Sequence, residues 1–183
     1  LLNDKRFRQA LSLAVDRQAI IDAEYNGQGV PAQVAPEPGT PQYHPELYSS
    51  YVQHDPEQAR RLLDDIGLTQ RDDEGYRTFA DGSRMTFFLA YSTDDTGIGP
   101  AEFLVADWGA VGVRVLTRGE SRTLFTSHRA SYAHDIVCWS ANGSFPMRFS
   151  EAYLPLRSSF YAPGFARWYD QGGMYGPIPE TLS

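Results

Sequence analysis

Apolar residues recur at helical spacing from the start of the chain. Phe7, Ala10, Leu11, Ala14 and Val15 fall on one helical face, and Asp4 is placed to cap it. Asp16 can cap a second helix carrying Ala19, Ile20 and Ala23, stopped by Asn26-Gly27. The pattern then disappears. Between Gly29 and Val52, Pro31, Pro36, Pro38, Pro41 and Pro45 break any helix, so 29–52 reads as a long Pro/Tyr-rich loop. Such loops are often functional. A surface loop packed by its own Tyr43, Tyr48 and Tyr51 is the simpler reading.

Periodicity returns at Asp55-Pro56-Glu57-Gln58. Asp55 caps, Pro56 takes the first helical position, and Gln58 can reach back to close a capping box. Ala59, Leu62, Leu63 and Ile66 form the apolar face, and Gly67 ends the helix. A hairpin is expected next, with Tyr76–Phe79 and Arg84–Tyr91 flanking Ala80-Asp81-Gly82-Ser83. The acidic run Asp72-Asp73-Glu74-Gly75 lacks calcium-loop spacing and reads as a solvated turn.

After Tyr91, a loop leads into a helix opened by Gly99-Pro100, with Leu104, Val105, Trp108 and Val111 as its buried face. Gly112 closes it, and Val113-Arg114-Val115-Leu116 follows as a strand. Strand, helix and strand make a βαβ unit, which requires parallel strands and a right-handed crossover. A further helix, roughly 122–130, returns the chain to a short apolar strand at Asp135–Trp139. Three parallel strands would then end at Tyr91-Ser92-Thr93, at Thr117-Arg118-Gly119 and at Trp139-Ser140-Ala141-Asn142, all along one edge. Beyond Phe149 the chain is aromatic and poorly periodic, with Trp168-Tyr169 on a short helix.

Composition narrows the function more by exclusion than by suggestion. At 183 residues with 42% hydrophobic content, the chain is globular and can bury a core without staples. A net charge of −7 argues against nucleic-acid binding. The one cysteine, Cys138, sits among apolar neighbours and reads as a buried, inert thiol. No stretch reaches the roughly 18 apolar residues that span a bilayer. The chain opens without an initiating methionine, directly in a helical pattern, and is expected to be a piece of a longer protein.

No nucleophile elbow, phosphate loop or dinucleotide fingerprint is present, and His44, His54, His128 and His134 lack metal-ligand spacing. Neither an enzyme nor a cofactor is therefore expected. The acid pairs Asp64-Asp65 and Asp94-Asp95 read as solvated. Recognition chemistry remains, at the strand-end edge where α/β proteins bind ligands. Tyr91, Arg118, Trp139, Ser140 and Asn142 are the candidate ligand contacts. Trp139 offers a flat apolar face with an N–H donor, or else is a core residue. Asn142 offers a donor and acceptors, or else forms a turn. Arg118 could meet an anionic group, or simply be exposed.

In this order, these pieces resemble the family 5 extracellular solute-binding proteins, the dipeptide, oligopeptide and nickel binders of ABC importers. The resemblance rests on Asn3–Arg17, on Asp55-Pro56-Glu57-Gln58-Ala59-Arg60-Arg61-Leu62-Leu63 with Gly67, on Trp108–Val115 and on Asp135-Ile136-Val137-Cys138-Trp139. It covers about residues 3–149.

The resemblance implies an α/β chain, 1–183, forming one lobe of a two-lobed periplasmic-binding-protein (type II) fold with a mostly parallel sheet. Residues 150–183 would lead back to the missing lobe. It further implies an oligopeptide or oligosaccharide held between lobes, ABC permease subunits as partners, and a periplasmic or extracytoplasmic location, with or without a lipoprotein anchor. In the peptide binders, the segment after the tryptophan carries an Asp that pairs with the peptide amino terminus. Here Asn142 stands in its place, which leaves an enclosed ammonium without a counter-charge. A ligand-sensing lobe of a signalling or regulatory protein is the alternative.

Overall fold

Helix α1, Lys5–Ala14, begins where the Asp4 carboxylate accepts the Arg6 amide at 2.8 Å, and it buries Phe7, Ala10, Leu11, Leu13 and Ala14. In this computed structural model, residues 1–131, 133–139 and 163–173 are described. Asp16 opens α2, Arg17–Glu24, by accepting from the Ala19 amide. The apolar face expected of α2 is only half-buried, and Ala23 is exposed.

Within 29–52 the chain forms one short helix, α3, Pro45–Ser49. Pro45, expected to prevent a helix, starts this one, since a first-turn proline forfeits no intrahelical bond.

Helix α4, Pro56–Asp65, is capped as expected by Asp55, whose carboxylate accepts from the Gln58 amide at 2.8 Å. The reciprocal arm of the capping box is replaced. The Asp55 N–H donates to the Leu13 carbonyl at 2.8 Å, which ties the start of α4 to the end of α1. At the far end, the Gly67 amide bonds Asp64 O and the Leu68 amide bonds Leu63 O, a Schellman closure that buries Leu63 against Leu68.

The expected hairpin is reduced to single bridges, Arg71 with Arg77 and Thr78 with Arg84, closed by a turn in which Phe79 N bonds Ser83 O. The strand that follows, β1, Thr86–Ser92, pairs elsewhere. It is central in a parallel sheet, between β2, Arg114–Glu120, and β3, Ile136–Cys138. Helix α5, Gly99–Ala110, links β1 to β2, and α6, Arg122–Ala130, links β2 to β3. The expected βαβ connectivity is present.

The α5–β2 junction is a second Schellman closure, with Gly112 N on Gly109 O and Val113 N on Trp108 O. Gly112 has φ +88°, and a Cβ there would collide with the Arg71 guanidinium and lie 3.2 Å from Arg77 Cγ. A side chain would meet both strain and a clash.

Strand parity sorts the sheet into two faces. Phe87, Leu89 and Tyr91, with Val113 and Val115, join Phe7, Leu11, Ala101, Trp108 and Val111 in the main core. Trp108 satisfies its indole N–H on Leu11 O at 2.9 Å. On the opposite face, Phe88, Leu116 and Arg118 are exposed, while Ala90, Ser92 and Glu120 are buried toward the C-terminal end, where α6 packs. The expected Asp72–Gly75 turn forms, with Asp73, Glu74 and Gly75 exposed, and it also carries ion pairs. Arg114 pairs with Asp72 at 2.8 Å and Glu74 at 3.2 Å, and lies 4.1 Å from the Tyr76 ring centre.

The chain divides into two compact units, Leu1–Pro31 with Tyr51–Ser140, and Ala32–Ser50 with Ala141–Ser183. The second contains α3 and α7, Pro163–Asp170, the latter carrying Trp168 and Tyr169 as expected. Tyr43 and Tyr48 meet edge to face at 5.8 Å, so the loop does pack partly on its own tyrosines.

Candidate functional site

The register aligns the strand ends: Ser92 lies opposite Glu120, and Tyr91 opposite both Gly119 and Cys138. The three ends therefore lie along one edge, as the βαβ reading required. Two boundaries move. β2 runs to Glu120, so Arg118 sits inside the strand, its guanidinium over the Phe88 ring at 4.9 Å. β3 is half-buried rather than fully buried, and spans only Ile136–Cys138. Its preceding residue, Asp135, accepts the Phe88 amide at 2.9 Å and so fixes β3 against the outer side of β1.

Trp139 follows β3 directly and is half-buried. Its ring stacks on Phe125 of α6, with centroids 5.1 Å apart and planes at 15°, and the Arg122 guanidinium lies 5.7 Å from its centre. Tyr91 points into the core, and its burial is possible because Gly119 faces it. A Cβ at Gly119 would come within 2.7 Å of the Tyr91 hydroxyl. Tyr91 therefore supports the edge from beneath. Ser140 and Asn142 lie outside the described residues. Burial pushes the Cys138 thiol up, away from nucleophilic character, in keeping with an inert role.

The loop after β1 holds most of what sequence reading missed. Asp94 and Asp95 are bonded, not merely solvated. Asp94 accepts the Arg122 amide at 2.8 Å, capping α6 where its own Ser121 makes no side-chain cap. Asp95 accepts from the Ser92 hydroxyl at 2.6 Å and pairs with Arg122 at 3.0 Å. Thr93 bonds the Glu120 carbonyl through its amide at 2.9 Å. A signal was available: a pair of acids just after a strand, and an arginine in the first turn of a helix beginning one strand later. Asp64, likewise read as solvated, pairs with the buried Arg77 at 2.5 Å. Among the described residues, no three His, Cys, Asp or Glu side chains converge to hold a metal.

This edge can present an aromatic plane braced by a cation, above a carboxylate-lined loop. That suits capture of a flat or apolar group with polar margins.

Comparison with known proteins places the fold. Residues 1–160 match the bacterial extracellular solute-binding proteins, family 5 Middle. The dipeptide-binding protein of Escherichia coli K12 is 27% identical over 99% of the chain and 31% of its own length. Heme-binding protein A of Haemophilus influenzae is 31% identical over 60% of the chain and 18% of its own length. The solved structure of an oligopeptide-binding protein, OppA, superposes with a TM-score of 0.82 at 28% identity, over 99% of the chain and 30% of that protein. The chain thus spans about a third or less of the relatives it matches, and it has the α/β fold of periplasmic binding proteins. It belongs to the bacterial extracellular solute-binding proteins of family 5.

Proposed function

We propose that the protein is the substrate-binding component of an ABC importer, with this chain supplying one lobe. It would enclose an oligopeptide or oligosaccharide-like solute against the strand-end edge and deliver it to membrane permease subunits from outside the cytoplasm. The observation that carries this reading is Trp139: a half-buried indole at the end of a parallel strand, backed by Phe125 and crossed by Arg122. Such a ring is an anchor of the kind that dominates binding energy. The relatives' names support the class and leave the solute open, since they name both dipeptide and haem. Asn142 weights the choice toward solutes without a free ammonium, because an enclosed, unpaired cation is expensive.

Two substitutions in the full-length protein test the reading by calorimetry with trialanine and maltotriose. Trp139→Ala is expected to weaken whichever probe binds by more than about 1 kcal/mol, the threshold for an anchor residue. Unchanged affinity in a folded variant would remove Trp139 from the site. Asn142→Asp is expected to improve trialanine binding and leave maltotriose binding unimproved. No change with trialanine would mean that this position does not reach the peptide terminus.

A further inference from the structure

Two side chains of α6, Phe125 and Arg122, lie against Trp139. Arg122, Phe125 and His128 are spaced three residues apart, so they lie along the same side of the helix. The helix is fastened at both ends. Asp94 and Asp95 hold Arg122 at its start. At its last turn, His128 Nδ1 and Glu120 Oε1 are hydrogen-bonded at 2.8 Å. Glu120 is only 4% exposed, and its second oxygen, Oε2, is buried without a hydrogen-bond partner among the described residues. A carboxylate buried with half its acceptor capacity unused is costly. An apolar residue would cover the end of β2 at lower cost. What it could not do is fix the rotation of α6, because apolar packing is not directional.

We propose that Glu120 and His128 are a positioning pair that fixes α6 against the end of β2 and thereby sets the ring plane of Trp139 through Phe125 and Arg122. The functional weight of this pair rests on the reading that Trp139 contacts the solute. The pair also explains why an acidic residue ends β2 at the edge where the sheet presents its ligand face. Phe125, 2% exposed, transmits the constraint: it is both locked into α6 packing and stacked on the indole.

The test uses the full-length protein labelled with 5-fluorotryptophan, in which the Trp108 and Trp139 fluorine resonances are assigned by Trp108→Phe and Trp139→Phe. In His128→Ala, the Trp139 line is expected to move by more than its width, while that of Trp108, in the core with its N–H on Leu11, stays in place. His128→Asn puts an amide nitrogen near the position of Nδ1, and it is expected to return the Trp139 line toward its original position. The proposal is overturned if the Trp139 line stays put in His128→Ala. It is equally overturned if His128→Asn shifts the line as far, or if Trp108 moves with Trp139. No ligand enters this readout. If a solute retained by the full-length protein is held equally by Trp139→Ala, the reading of Trp139 as a solute contact fails, while the fluorine shifts still decide the role of the pair.

Discussion

Arg77→Ala is expected to destabilise the chain by about 3 kcal/mol or more, the range seen when one member of a buried charged network is removed. The guanidinium is 1% exposed and serves several acceptors at once. Nε donates to Val111 O at 2.9 Å, Nη1 to Asp64 Oδ1 at 2.5 Å and to Leu68 O, and Nη2 to Arg60 O at 3.3 Å. Val111 is the C-cap of α5, where carbonyls lack an intrahelical donor, Leu68 lies in the closure just after α4, and Arg60 is within α4. One side chain therefore seals two helix ends, and its loss leaves buried carbonyls unsatisfied.

Urea denaturation distinguishes this network from a simple ion pair. Asp64 is about half exposed and the guanidinium keeps its carbonyl acceptors without it, so Asp64→Ala should cost clearly less than Arg77→Ala. Arg77→Lys should recover little, because an ammonium cannot reach several diverging acceptors. Equal costs for Arg77→Ala and Asp64→Ala would show that the pair, rather than the carbonyl network, holds the junction.

Phe7→Ala should be of similar size, about 3–5 kcal/mol, the usual cost of emptying a fully buried aromatic site. Phe7 is completely buried, with its ring 5.5 Å from that of Phe87, so it joins α1 to the core face of β1. In a chain of this length each kcal/mol lowers the melting temperature by about 2–4 °C. Phe7→Leu keeps most of the volume and should cost clearly less. A loss below about 1 kcal/mol for Phe7→Ala would mean that α1 is not packed as described.

What was legible in the sequence is what local chemistry decides. Asp4, Asp16 and Asp55 cap helices because each precedes an apolar-periodic run, and that information lies within four residues. The βαβ connectivity was legible for the same reason: strand, helix and strand of suitable length permit only parallel pairing. The side-chain pairings that sequence reading missed are long-range. Gln58 lost its role to Leu13, a partner far away in the chain. The pairing of Asp94 and Asp95 with Arg122, of Glu120 with His128, and of Asp64 with Arg77 depends on tertiary placement, and of these three the first alone left a trace in the sequence.

The strand-end edge itself was predictable, and so was Trp139 as its aromatic. What supports that aromatic was not. Phe125 looked like any apolar helix residue, and Tyr91 looked available when it is committed to the core across Gly119. Sequence reading placed the strand ends and Trp139 more readily than the contacts around them.

The central claim is that this edge captures a solute. Native mass spectrometry of the full-length protein, purified without denaturation, tests it most directly. A bound mass that is retained by the wild-type protein and lost from Trp139→Ala is the predicted result. Hexose multiples would agree with the Asn142 argument, and a ladder of peptide masses would show that Asn142 is no barrier. A retained mass that Trp139→Ala leaves untouched would contradict the claim.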